Sequence, residues 1–98
     1  MKEIDYEKIE RIKKRIRVKS MNTDEEVEEL VKTCLKELEI AGVYGTLEDE
    51  TYFQAVVLYC KANYGYDENT ERFQRAYEKL RDAMSLSGDY EKVEKDGN

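Results

Sequence analysis

The two thiols, Cys34 and Cys60, are the side chains with the readiest nucleophilic or soft-metal chemistry, and the chain has no histidine to join them. Protein zinc sites draw three or four ligands from Cys, His and carboxylates, so two thiols alone do not make one. Both cysteines fall within apolar helical stripes, where a thiol is most simply a small hydrophobe; a disulfide between neighbouring helices is the other reading, and it requires an oxidising compartment. Among carboxylates, Glu25 with Glu29 and Glu48 with Asp49 lie close together on polar helix faces. General acid–base work needs a desolvated carboxylate, and a solvated face accounts for these pairs better. Asp67, Asn69, Glu71 and Glu78 stand at offsets 1, 3, 5 and 12 of a calcium-loop pattern, but the sixth place holds Arg72 where the sharp turn needs glycine. There is no G-x-S-x-G turn and no glycine-rich phosphate loop. These residues predict no catalysis, no metal and no cofactor.

Charge is the more informative chemistry. Residues 1–20 carry eight basic and four acidic side chains, whereas residues 21–98 carry nine and nineteen. The basic cluster Arg11, Lys13, Lys14, Arg15, Arg17 and Lys19 could neutralise phosphates with a salt-dependent affinity; it could equally be a solvated face, or dock on an acidic protein surface. The acidic body is such a surface. A basic end and an acidic body are complementary head to tail, and heterologous contacts of that kind close into rings when the rotation permits. Tyr52, Tyr59, Tyr64, Tyr66 and Tyr77 are many tyrosines for a small core. They are read as core-edge residues with the hydroxyl in water, or as interface residues, where tyrosine is enriched.

The elements that position these groups follow from hydrophobic spacing. The densest apolar run, Tyr52 to Tyr66, is predicted as a helix from its flanks: Thr46 and Asp49 offer N-caps, acids occupy the first turn, and Gly65 supplies a stop. Its apolar side chains point in nearly every direction around the axis, so it must be covered on more than one side. Before it, Val27, Leu30, Val31, Cys34, Leu35, Leu38 and Ala41 predict an amphipathic helix opened by a capping box of Thr23 and Glu26 and ended by Gly42. Ile9, Ile12 and Ile16 predict a short basic helix from Asp5 to about Arg17, with Val18 to Asn22 as a connector. After the central run, Phe73, Ala76, Tyr77, Leu80, Ala83 and Met84 predict a last helix, capped by Asp67 or Asn69 and stopped near Gly88. The predicted fold is all-α: a small bundle of three main helices plus a shorter basic N-terminal helix. It forms a single domain over residues 1–88, followed by a charged flexible tail over residues 89–98 in which Tyr90 and Val93 are the apolar anchors.

A chain of 98 residues buries only about 65% of its unfolded surface, so further burial in an oligomer is physically useful. The longest uninterrupted apolar run, Ala55 to Cys60, is far below the ~18–20 residues of a membrane span, and no basic-then-apolar leader opens the sequence. The expectation is a protein of the cytoplasm, or of something assembled there, without a membrane partner.

The order and spacing of three motifs carry a resemblance. Tyr59-Cys60-Lys61-Ala62-Asn63-Tyr64-Gly65-Tyr66, then Phe73-Gln74-Arg75-Ala76-Tyr77-Glu78-Lys79-Leu80, then Leu86-Ser87-Gly88-Asp89-Tyr90 resemble the head-tail connector family of phages and prophages, the head-completion or DNA-packaging adaptor proteins. With the preceding helix the likeness covers about residues 5–90. It implies a structural, non-enzymatic subunit that assembles with itself into a dodecameric ring beneath the portal protein, extends the DNA channel, and presents a surface to the next neck or tail-completion protein. The expected location is the virion neck, with assembly in the host cytoplasm. Genomic DNA would pass through the ring without sequence-specific contact. Lys13, Lys14, Arg15 and Arg17 are candidates for the DNA lumen or the adjacent subunit, and Leu86, Tyr90 and Val93 for the portal. Some family members have a Pro-containing loop after the second helix; this chain has Gly42-Val43-Tyr44-Gly45 there.

Two other classes fit the same residues. A small DNA-binding regulator would use the basic first helix, although no helix-turn-helix spacing is evident and the acidic body repels phosphate. An unrelated protein-interaction module would need only the spare tyrosines and the charged faces.

Overall fold

The computed structural model describes residues 6–16, 23–64 and 69–92, with the backbone only at Thr23, Asp24 and Tyr64. Within them the chain forms four helices: α1 (Tyr6–Ile16), α2 (Thr23–Ile40), α3 (Glu50–Tyr64) and α4 (Thr70–Ser87). All four predicted helices are present, and the fold is an all-α bundle. The predicted connector Val18 to Asn22, the stop at Gly65 and the alternative cap Asp67 lie outside the described residues.

The end of α2 shows how local sequence sets direction. Gly42 adopts φ +84°, Val43 N–H donates to the Leu38 carbonyl at 2.7 Å, and Gly42 N–H donates to Glu39 O at 2.9 Å. That is a Schellman closure, with Val43 and Leu38 both fully buried as its apolar clasp. Ser85 of α4 donates to the Ala41 carbonyl at 3.0 Å, which ties the ends of α2 and α4 together. The start of α3 is capped by Asp49, whose Oδ1 accepts from Thr51 N–H at 2.9 Å and Tyr52 N–H at 3.2 Å. The other candidate, Thr46, accepts Glu48 N–H with its hydroxyl at 3.3 Å and shapes the preceding turn. In that turn Gly45 lies so close to Tyr52 that a Cβ would stand 2.5 Å from the ring, a contact only glycine avoids. Asn69 occupies the N-cap position of α4 without a side-chain cap bond, and its carbonyl accepts Phe73 N–H at 3.0 Å.

Helix α3 is the axis of the core. Tyr52, Phe53, Ala55, Val56, Val57, Tyr59 and Cys60 are all buried, as expected for a helix apolar around most of its circumference. Its neighbours supply Ile9 and Ile12 from α1, Val27, Val31, Cys34 and Leu38 from α2, and Tyr77 and Met84 from α4. Two expectations are corrected. Tyr52, Tyr59 and Tyr77 belong to the core rather than its edge, because their hydroxyl ends or ring edges find partners inside the fold: Tyr77 donates to Glu37 Oε1 at 2.9 Å and meets Tyr59 edge to face with centroids 5.2 Å apart. Ala83 is exposed, since α4 turns its last two turns toward α2 and α3 through Tyr77, Leu80 and Met84.

Tyr77→Phe removes one hydrogen bond from a half-buried carboxylate that water can still reach, so it should cost about 1 kcal/mol. Tyr77→Ala leaves a ring-sized void and should cost about 4 kcal/mol. Urea unfolding midpoints of the two variants check both the order and the gap.

Candidate functional site

The side chains with chemical potential are placed where chemistry is suppressed. Cys34 and Cys60 are free thiols with no exposed surface. Burial pushes the Cys60 thiol up to about 12, and burial together with the facing Cys60 pushes Cys34 higher still. Tyr52 is pushed up to about 12, chiefly by burial, and Tyr77 is raised by burial and by the neighbouring Cys34 and Glu37. No group of three His, Cys, Asp or Glu side chains among the described residues is arranged to hold a metal ion. No described helix is long and apolar enough to cross a membrane.

The surface groups are arranged along α1. Its isoleucines face the core, and the flank toward α3 carries Lys8, Arg11 and Arg15, at i, i+3 and i+7. Lys8 reaches Glu48 at 3.9 Å. The guanidinium carbons of Arg11 and Arg15 stand 4.7 and 5.5 Å from the Phe53 ring centroid, one aromatic face shared by two cations. Arg15 also donates to Gln54 Oε1 at 3.5 Å. Lys13 lies on the other flank, 3.5 Å from Glu10, and Lys14 is exposed. Of the four basic residues singled out in the sequence, Arg15 is engaged with α3, Lys13 pairs with Glu10 on its own helix, Lys14 is exposed, and Arg17 lies outside the described residues.

The motif residues divide in a similar way. Tyr59 and Tyr77 are in the core. Phe73, Ala76 and Leu80 are half-buried on α4, with the Lys61 ammonium 5.1 Å from the Phe73 ring centroid. Asn63 donates to the Tyr59 carbonyl one turn back at 2.9 Å. Tyr64 ends α3, and Gly65 and Tyr66 lie outside the described residues. Leu86 is 86% exposed, Tyr90 is half-buried, and Val93 lies outside the described residues.

Tyr90 holds a tie that the sequence pattern did not reveal. Its hydroxyl donates between the two carboxylate oxygens of Asp49 at 3.1 and 3.0 Å, its carbonyl accepts Tyr44 N–H at 2.7 Å, and its ring stacks on Tyr52 with centroids 6.4 Å apart. Asp49 thus caps α3 and anchors the chain beyond α4 with one side chain. The only signal in the sequence was a lone tyrosine in a polar segment; its partner looked like a cap and nothing more.

The family model described as phage connector protein matches residues 9–91, most of the chain, and the chain belongs to that family. No curated protein and no solved structure gives a significant match.

Two outcomes test this geometry. The fold holds Cys60 and Tyr52 protonated, with their ionisation moved from 9.0 and 10.0 to about 12, so their contribution to stability is complete below pH 9 and is lost as pH rises from about 9 toward 12. Thermal unfolding should show a flat midpoint from pH 7 to 8.5 and a steep fall above it, with iodoacetamide labelling both thiols only as the chain opens. Asp49→Ala removes the cap and the Tyr90 acceptor together and should cost about 2 kcal/mol, against about 1 kcal/mol for Tyr90→Phe, read from urea midpoints.

Proposed function

We propose that this chain is a structural head-tail connector subunit of a tailed phage or prophage. Copies form a ring, a dodecamer in the virion, under the portal protein; the ring extends the DNA channel and links the head to the next neck or tail-completion protein. The match to the connector family across residues 9–91 carries this reading. The physics agrees with it, because a small bundle with segregated surface charge gains burial and ion pairing from neighbours that an isolated monomer lacks.

In this reading the helical domain of residues 1–88 is the ring-forming unit, and the charged segment after it begins tied to that domain at Tyr90 rather than flexible as expected. Lys13, Lys14, Arg15 and Arg17 serve the DNA lumen or the adjacent subunit. Leu86, Tyr90 and Val93 meet the portal, with Leu86 already presented as a bare side chain beside the Tyr90 tie. The protein works in the virion neck after assembling in the host cytoplasm, and it takes no part in chemistry.

Mass measurement in solution over a concentration series, alone and with purified portal protein, tests the proposal. A multi-copy species, or capture by portal at moderate salt, is the expected result. A discrete monomer or dimer that ignores portal and binds DNA with an affinity falling steeply with salt would replace the connector reading with that of a small regulator.

A further inference from the structure

Three sides of α3 are covered by its own chain, and the contacts say which helix covers which. Phe53 faces α1 through Arg11 and Arg15, Tyr59 faces α4 through Tyr77, and Cys60, between them on the wheel, is buried in the same core as Cys34 of α2. The remaining side holds Thr51 and Gln54, both exposed, with Leu58 half-buried between them, at i, i+3 and i+7, while Lys61 next to it is turned to Phe73 of α4. A groove of about 360 Å³ opens there, lined by Arg15 from α1, Phe53, Gln54 and Glu50 from α3 and Leu80 from α4. At 100° per residue Thr51, Gln54 and Leu58 stand between about 120° and 180° round the α3 axis from Cys60.

The groove and the outer face of α2 are complementary. Arg11 and Arg15 are exposed and meet no carboxylate among the described residues, unlike Lys8 and Lys13, which have Glu48 and Glu10. On the outer face of α2, Glu25, Glu26 and Glu29 are exposed and pair with no described cation, while Lys32 is taken by Glu28 at 3.6 Å. Further along the same face Lys36 is exposed, opposite in sign to Glu50 at the groove. We propose that the open side of α3 receives the acidic first turns of α2 from a second copy of the chain, Arg11 and Arg15 taking Glu25 and Glu29, and Glu50 taking Lys36. The aliphatic stems of the glutamates cover Phe53 and Leu80 while their carboxylates reach the guanidinium forks. A bare phosphate backbone offers neither the apolar stems nor a cation for Glu50. Because the donor and acceptor faces are different surfaces of each subunit, the contact is heterologous and repeats from copy to copy. The inference rests on the ring reading and names the two faces that would build it.

Cysteine cross-linking of the full chain tests the faces directly. Gln54→Cys and Glu29→Cys are both exposed changes, and the native thiols are too deep to compete. Mixed at high concentration and mildly oxidised, the two variants should give a disulfide heterodimer, while each alone should give little. Arg15→Glu should weaken self-association roughly tenfold, a shift of about 1.4 kcal/mol, and Glu29→Arg in the mixing partner should restore it. Homodimers of a single variant, or mixed cross-links no stronger than a control pairing Gln54→Cys with Lys79→Cys, would overturn these faces. If multi-copy species persist in that case, the ring reading stands without them; if no association is seen at any concentration, both fall.

Discussion

The constraint that organises this protein is the composition of α3. A helix with Tyr52, Phe53, Ala55, Val56, Val57, Tyr59 and Cys60 all needing removal from water cannot be stabilised by one neighbour. Burying each large apolar side chain is worth about 1.5–3 kcal/mol, several times what propensity or a surface ion pair contributes, so the other helices are arranged to cover α3 before anything else is satisfied. The short α1 makes the point. Its mean hydropathy is low and its polar faces are crowded with charge, yet Ile9 and Ile12 are fully inside because they close the flank of α3 that α2 and α4 leave open.

Polar groups then fix how the layers sit. Among the described residues Tyr77 is the only fully buried aromatic ring, and its hydroxyl must be satisfied from within; Glu37 on α2 does this, which sets the relation of α4 to α2 across the core. Asp49 does the same at the other end of the loop system. By accepting from Thr51, Tyr52 and Tyr90 it joins the start of α3 to the segment beyond α4, and Tyr44 N–H closes the loop from the opposite side. Both ties use a carboxylate left partly exposed, which avoids the desolvation cost of a buried ion and keeps the thiols and phenols as the chief deeply buried titratable groups.

Most of this architecture was legible from residue order. The isoleucine triplet, the stripe from Val27 to Ala41 and the Phe73 to Met84 spacing each report a local periodicity, and local periodicity survives into the fold. The helix limits at Gly42 and Asp49 were legible because caps are local too. What was not legible depends on which helix faces which. Arg11 and Arg15 looked like members of one basic patch with Lys13 and Lys14, but 100° per residue separates them into different flanks, and only the position of Phe53 shows which flank has a partner. Ala83 looked apolar enough for the core, but a methyl group gains too little from burial to rotate a helix already held by Tyr77 and Met84. Tyr90 and Asp49, 41 residues apart, share no pattern that a sequence window can register.

The distribution of charge is the last consequence of the same constraint. Once α3 is closed by apolar contacts on most sides, Arg11 and Arg15 stand exposed beside its remaining side, and Glu25, Glu26 and Glu29 stand exposed on the outer face of α2. Neither set stabilises the monomer appreciably, since exposed charges without partners contribute nothing by attraction and repel their own kind. Like charges held together on one face are costly in isolation, and that cost is relieved only when a surface of the opposite sign approaches. Arg11 with Arg15, and Glu25 with Glu29, each hold like charges one helical turn apart, and the repulsion within each pair falls when a surface of opposite sign approaches.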